Sequence, residues 1–236
     1  MTLPFTRATS LAPRFTISRC TPADVPQLVE CYLDAFTETA FTWFWPPTRE
    51  SMRAWTLVRF VRRFEDPTDQ QFKIVEETSS QVVAFARWGV PSGMKGLAEG
   101  FRTYELAESL ACRDAQSRGK QEIPDGANEE VFHEFFAGIK HMQAKWDAKS
   151  KLDLGLICTH PKYQGQGLAA ALIKPVLDIA DAEGITAYVE ALPNAKAVYE
   201  HYGFKTVDTQ EYNLTKAGRE GTEALSIMVR ESMNST

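Results

Sequence analysis

The sequence predicts an α/β (α+β) chain folded as one large domain. Three observations carry this. Short apolar strand runs alternate with amphipathic helices, two of the strand runs read as a hairpin, and a glycine-rich turn joins a strand to a helix late in the chain. With 236 residues, 44% of them hydrophobic and 24% charged, there is enough apolar material for a packed core. That excludes a disordered chain and a disulfide-stapled miniprotein. The net charge of −5 argues against a nucleic-acid binder, which needs a basic face. Cys20, Cys31, Cys112 and Cys158 form no C-x-x-C pair, so no metal site is expected and the thiols read as reduced, in a cytoplasmic protein. The first residues contain no unbroken apolar segment of the signal-peptide kind, and no run is long enough to cross a membrane.

The elements follow in order. Residues 1–13 carry Pro4 and Pro13 and read as a flexible tail, leaving 14–236 as the domain. A strand is expected over 14–19. Thr21-Pro22-Ala23-Asp24 then reads as a helix start, with a hydroxyl N-cap, proline at N1 and a carboxylate at N3. Val25, Leu28, Val29, Tyr32, Leu33 and Phe36 continue it at helical spacing. A second helix is expected over about 49–64, after the turn at Pro46-Pro47. Strands at 72–76 and 81–90, separated by Ser79-Ser80, make the hairpin. Residues 91–150 differ in character and read as a largely helical insertion, carried by the stripe Phe132, Phe135, Phe136, Ile139, Met142 and Trp146. Its acidic residues, among them Glu105 and Glu108, read as a solvated face, and the aromatic stripe as core more than pocket.

From residue 152 the pattern sharpens. An apolar strand over 152–159 is followed by the break His160-Pro161-Lys162 and by Tyr163-Gln164-Gly165-Gln166-Gly167, which opens a helix running to about residue 183. Pro175 should kink that helix, and Gly184 closes it. A strand over 185–191, a short helix over 195–202, a strand near 205–207 and a last strand over 224–229 complete the chain.

A strand, a glycine turn and a helix make an anion site, because the first N–H groups of the helix point outward and the helix dipole favours phosphate. No Gly-Lys-Ser/Thr follows, so the turn is not a phosphate-binding loop of the nucleotidase kind. Gly165-Gln166-Gly167-Leu168-Ala169-Ala170 matches the dinucleotide pattern G-x-G-x-x-A in form, and Glu190 ends the next strand. Against that rival, five residues separate the strand from the first glycine, and the motif comes too late for a doubly wound sheet to follow.

Gln164-Gly165-Gln166-Gly167-Leu168-Ala169 resembles the Q/R-x-x-G-x-G/A motif of the GNAT (Gcn5-related N-acetyltransferase) superfamily. Val198-Tyr199-Glu200-His201-Tyr202-Gly203-Phe204, about thirty residues on, is similar to that family's Leu-Tyr-Glu-Lys-x-Gly-Phe segment, and Ile227-Met228-Val229-Arg230 to its last strand. The likeness is sharp over 150–230, architectural over 14–90, and without a recognised counterpart over 91–150. The segment from Glu190 to Phe204 most resembles puromycin-N-acetyltransferase-like and fungal small-molecule members. One departure concerns Asn194. It lies five residues before Tyr199, whereas the family's asparagine lies seven before its tyrosine, so Asn194 does not automatically inherit that cofactor contact.

The resemblance implies a mixed central sheet of about six to seven strands flanked by helices. It also implies acetyl-CoA as cosubstrate, no metal, and a primary amine of a small molecule as acceptor. The alternatives are a protein or histone lysine acetyltransferase and a CoA-binding module without catalysis. The protein is expected to be a monomer or homodimer.

Tyr199 is the candidate acid for the leaving thiolate, against the alternative that it packs beside Phe204. Glu190 is the candidate base, directly or through water. Apolar neighbours would raise its pKa to a useful value, and a structural carboxylate is the alternative. Asp153 is a weaker candidate base. Gln164, Gly165, Gln166, Gly167, Leu168 and Ala169 should present N–H groups to the CoA pyrophosphate. Ile157, Cys158 and Thr159 should lie along the pantetheine arm. A Cys158–His160 nucleophile pair is the minor alternative to direct transfer. Trp43, Phe44 and Trp45 are candidates for the acceptor wall, against a core-packing loop. The 91–150 segment is where acceptor specificity is expected.

Overall fold

The computed structural model describes residues 2–36, 42–99, 101–104 and 123–233. Its elements are β1 (Phe15–Arg19), α1 (Val25–Phe36), α2 (Arg49–Arg62), β2 (Asp69–Glu76), β3 (Gln81–Gly89), α3 (Glu129–Lys145), β4 (Leu152–Thr159), α4 (Leu168–Glu183), β5 (Ala187–Ala191), α5 (Lys196–His201), β6 (Lys205–Asn213) and β7 (Thr222–Arg230). The seven strands form one sheet in the order β1-β2-β3-β4-β5-β7-β6. Every neighbouring pair is antiparallel except β4 and β5. Glu105, Glu108 and Cys112 lie outside the described residues.

Local chemistry explains most element starts. Asp24 accepts the Thr21 N–H at 2.7 Å and the Thr21 hydroxyl at 2.9 Å, which closes the expected capping box ahead of α1. The Thr48 hydroxyl accepts from Ser51 N–H and caps α2, and the Asn128 side chain accepts from Glu130 and Val131 N–H and caps α3. The hairpin β2–β3 stands where expected, turning through residues 77–80. Strand β6 is longer than its sequence suggested. It runs to Asn213 because its polar residues pair with β7 at the edge of the sheet, where alternation with a buried face is weak.

The sheet carries helices on both faces. On one side α4 packs Leu168, Leu172, Ile173, Val176 and Leu177 onto Ile74, Ala84, Ala86, Trp88, Leu154, Val189 and Met228. On the other side α1, α2 and α3 bring Leu28, Val29, Leu33, Phe60, Val131 and Phe132 onto Phe85, Cys158, Tyr212 and Leu225. Arg230 ties the α4 side together. Its two Nη groups donate to both carboxylate oxygens of Asp181 at 2.8 and 2.7 Å, and its Nε donates to the Tyr202 carbonyl at 2.8 Å.

Two irregularities in the middle of the sheet matter for function. Arg87 pairs with Leu156 and Trp88 with Leu154, so Gly155 is an extra residue in β4, a β-bulge. A bulge inverts the facing of the side chains beyond it. Leu152 and Leu154 pack with the α4 cluster, whereas Leu156 and Cys158 pack on the α1–α3 side. Beyond the bulge β4 also leaves β5. Their parallel ladder consists of Leu152 opposite Ala187 and Asp153 opposite Tyr188. The two strands then splay, and their facing backbone edges open into a cleft through the sheet.

Candidate active site

Two cavities meet in this cleft. One, of about 310 Å³, lies at the loop before α4 and is lined by Gln164, Gly165, Gly167, Leu168, Ala169 and Ala170 among others. Gly165 and Gly167 have φ of 73° and 77°, in the left-handed region that only glycine enters without strain. Space is not the reason for glycine there, since nothing lies within 4 Å of a Cβ built at either position. Among the described residues no side chain caps the α4 N-terminus, which leaves the first N–H groups of the helix free to face this cavity. The chemistry of this cradle fits a pyrophosphate. The Gln166 side chain is turned away, accepting from Arg14 and donating to the Lys162 carbonyl.

The second cavity, of about 350 Å³, lies on the α1–α3 side. Its walls are Tyr32, Phe36, Phe44 and Trp45 from the first helix and the loop after it, Phe135, Phe136, Ile139 and Gln143 from α3, and Leu156 and Cys158 from β4. Ile157, Thr159, Gln164, Asn194, Ala195 and Tyr199 line both cavities and form the passage between them.

The titratable groups at this junction are strongly perturbed. Glu190, at the open end of β5, lines the second cavity and accepts a 3.0 Å hydrogen bond from the Tyr188 hydroxyl. Burial, and then the nearby Asp153 carboxyl, push the Glu190 carboxyl up to about 8. Hydrogen bonds from Tyr188 and Gln143 and the charge of Arg87 oppose that rise. Asp153 is itself raised by burial, against the pull of Arg87. Burial raises the Tyr199 phenol as well, with the Cys158 thiol adding to the effect, so Tyr199 stays protonated throughout the physiological range. The Cys158 thiol is pushed well above its ordinary value by burial, which disfavours a thiolate nucleophile. His160 is engaged elsewhere, accepting from Lys162 N–H through Nδ1 and lying 3.5 Å from Asp34 through Nε2.

The acetyltransferase (GNAT) domain family model matches residues 125–215, from just before α3 through the glycine loop and Tyr199 to the end of β6. Over that stretch the chain is similar to the GNAT superfamily. An uncharacterised N-acetyltransferase of Schizosaccharomyces pombe is 40% identical over 72 residues, which is 30% of this chain and 27% of that protein. The match thus spans about a quarter of the relative's length. Among solved structures, one described as histone acetyltransferase HPA2 and related acetyltransferase from Corynebacterium glutamicum aligns at a TM-score of 0.56 and 17% identity, over 94% of this chain and 99% of that one. The C-terminal condensation domain of Ebony, in complex with β-alanyl-dopamine, aligns at 0.59 and 10% identity, over 92% and 98%. At such identities these two report the fold, which is the GNAT fold.

Within this GNAT fold most of the residues singled out by sequence converge. Tyr199 packs edge-on against Phe204, with ring centroids 5.9 Å apart, and it also lines the passage, so packing and access to the cavities go together there. Trp43 is a correction. It is buried and absent from either cavity, its Nε1 donates to Glu223 at 2.7 Å, and its ring packs on Tyr212 and Phe135. In the run Thr42-Trp43-Phe44-Trp45 the indole at position 43 turns inward, whereas Phe44 and Trp45 face the cavity. The α3 stripe also divides. Phe132 is core, but Phe135 and Phe136 are cavity wall, with Phe135 stacked on Phe44 at 4.0 Å and 10°.

Sequence reasoning missed three basic residues of the cavity, Arg59, Arg63 and Arg87. Signals for them existed. Arg59 and Arg63 stand four apart on one helical face, and Arg87 interrupts the apolar run Val82-Val83-Ala84-Phe85-Ala86. Arg87 donates to Asp69 at 2.8 Å, and its guanidinium occupies the space that a Cβ on Gly155 would need.

Proposed function

We propose that this chain is an acetyl-CoA-dependent N-acetyltransferase that acetylates the primary amine of a small molecule by direct attack on the thioester. The observation that carries the reading is the meeting of two cavities through the β4–β5 splay, one built for an anion and one walled by aromatic rings, with Tyr199 in the passage between them and Glu190 on the acceptor side. An acceptor cavity of about 350 Å³, enclosed by Phe44, Trp45, Phe135 and Phe136, has the size and lining of a small-molecule site.

Each residue then has a task. The uncapped N–H groups at the start of α4, with Gln164, Gly165, Gly167, Leu168 and Ala169 around them, hold the pyrophosphate of CoA. Ile157, Cys158 and Thr159 line the course of the pantetheine arm through the sheet. Bound acetyl-CoA supplies the activated acetyl group. Backbone N–H groups of β4 beyond Asp153, released from pairing with β5, donate to the oxyanion that develops at the carbonyl. The ionised Glu190 carboxylate accepts a proton from the acceptor ammonium, leaving a neutral amine to attack. The Tyr199 hydroxyl donates its proton to the departing sulfur, and the second proton that the nitrogen sheds on becoming an amide restores the phenol.

The test is an acetyl-CoA thiol-release assay across a panel of amines, with product mass as confirmation. Amine-dependent release that falls sharply in Tyr199→Phe supports the reading. Tight CoA binding without turnover for any amine would instead make the chain a CoA-binding module.

A further inference from the structure

The acceptor cavity is lopsided in charge. Arg59 and Arg63, one turn apart at the end of α2, and Arg87 from β3 all line it. Inside this crowded group the Nε of Arg59, the Nη1 of Arg63 and the Nε of Arg87 are buried without a hydrogen-bond partner among the described residues. Unanswered buried donors on charged groups are costly, so such a cluster calls for an explanation.

Asp69 is committed to Arg87, and Asp153 and Glu190 also act on Arg87. Among the described residues no carboxylate makes an ion pair with Arg59 or Arg63. Arg59 leans on the Tyr32 hydroxyl. Burial, together with the charges of Arg87 and Arg59, works against the Arg63 cation. The guanidinium groups are held in place by rings instead of carboxylates. Arg59 lies 4.2 Å above Trp55, and Arg63 lies 4.7 Å above Phe60. Two guanidinium groups fixed on aromatic faces in the wall of the cavity have the chemistry of a carboxylate receptor.

The phosphates of CoA are not the missing anion. They belong at the α4 loop, and none of the three arginines lines that cavity. Away from the arginines, Phe44, Trp45, Phe135, Phe136 and Ile139 give the acceptor wall an apolar patch.

We propose that the acceptor is an aminocarboxylate with an apolar or aromatic body. Its carboxylate is held by Arg59 and Arg63, its body lies against the Phe44–Phe135 stack, and its amine is turned toward Glu190. This inference rests on the acetyltransferase reading and narrows it. A plain cationic amine would meet a positively charged floor.

A matched pair of probes tests it, since phenylalanine and phenethylamine differ only by the carboxylate. The full chain is assayed for thiol release with each at pH 8.5, and calorimetry measures binding of each to the CoA-loaded protein. Expected is a preference for phenylalanine of about tenfold or more in kcat/KM or in affinity, the worth of a charge-assisted hydrogen bond. Arg59→Gln and Arg63→Gln should each cut that ratio about tenfold, and Arg63→Lys should restore part of it. Arg63→Gln should also melt at or above the wild-type temperature, because it removes a cation that its neighbours repel. A structural arginine would behave in the opposite way. Equal or better use of phenethylamine by the wild type overturns the proposal, as does a preference that both glutamine variants keep. Turnover of phenethylamine but not phenylalanine sinks this inference and leaves the acetyltransferase reading standing. Failure to bind either probe overturns the inference, and failure to bind acetyl-CoA as well takes the acetyltransferase reading with it.

Discussion

Glu190→Gln separates the two consequences of a buried base. The carboxyl titrates near 8, well above its ordinary 4.5, with burial as the leading cause. Only the ionised form accepts a proton, so below pH 8 the active fraction falls tenfold for each step of one in pH. At pH 6 kcat/KM should be about one-hundredth of its plateau. Glutamine keeps the shape and cannot act as a base, so the plateau should drop by roughly 10²–10⁴. The stability effect has the opposite sign. A carboxyl raised in the folded state is fully tolerated below its unfolded value and costs stability as pH rises through its folded value. A tenfold change in the acid constant is worth about 1.4 kcal/mol for a fully buried group. Glu190 is open on its cavity side, so a net gain of about 2 kcal/mol for the glutamine variant at pH 9 is expected. For a chain of this size that is about 5 °C in Tm, and it should vanish at pH 5. Thermal melts at pH 5 and 9 and a pH–rate profile with one amine acceptor measure both. The acceptor's own ionisation also bends such a profile, so the decisive comparison is between the two proteins. A variant that keeps the wild-type acid limb, or that melts no higher at pH 9, would refute the assignment of the base.

Three further outcomes follow from the same geometry. Tyr199→Phe should lower kcat by about 10²-fold with little change in KM for acetyl-CoA, because only the proton for the leaving sulfur is lost; steady-state kinetics at saturating amine check this. Gly167→Ala places a Cβ at φ 77°, a strain of about 1–2 kcal/mol. It should weaken CoA binding in calorimetry by about tenfold or more, with the fold retained by circular dichroism. Arg230→Met removes the partner of Asp181, whose carboxyl the Arg230 hydrogen bonds hold below the ordinary range, and should cost about 3 kcal/mol near neutral pH. A depressed carboxyl contributes above its unfolded pKa and loses that contribution in acid, so the gap in Tm between wild type and variant should narrow as pH falls toward 3.

The parts of the site that are local in sequence were legible there. The glycine loop announces an anion site within six residues, since the left-handed turns, the helix start and the missing cap are all contiguous. Tyr199 and Glu190 could be singled out as candidates because they stand at readable places, in a motif and at a strand end. Trp43 was misassigned because an aromatic run does not state which rings face inward, and its inward turn depends on Glu223, 180 residues away. The cavity arginines were invisible as a group because they come from α2 and β3. They meet only after the bulge at Gly155 makes room for Arg87. That bulge has no sequence signature beyond one glycine within an apolar strand, yet it stands where the β4–β5 ladder ends and the cleft of the proposed site begins.

The central claim, that the two cavities make one passage for acetyl transfer, is tested most directly by measuring CoA release and acetylated product together. Purified full chain is given acetyl-CoA with and without an amine acceptor at pH 8.5, in wild type and Tyr199→Phe. One equivalent of N-acetyl product per CoA released, dependent on the amine and strongly reduced in the variant, is the expected result. Release of CoA at the same rate with no amine present, or equal product from both proteins, would contradict it.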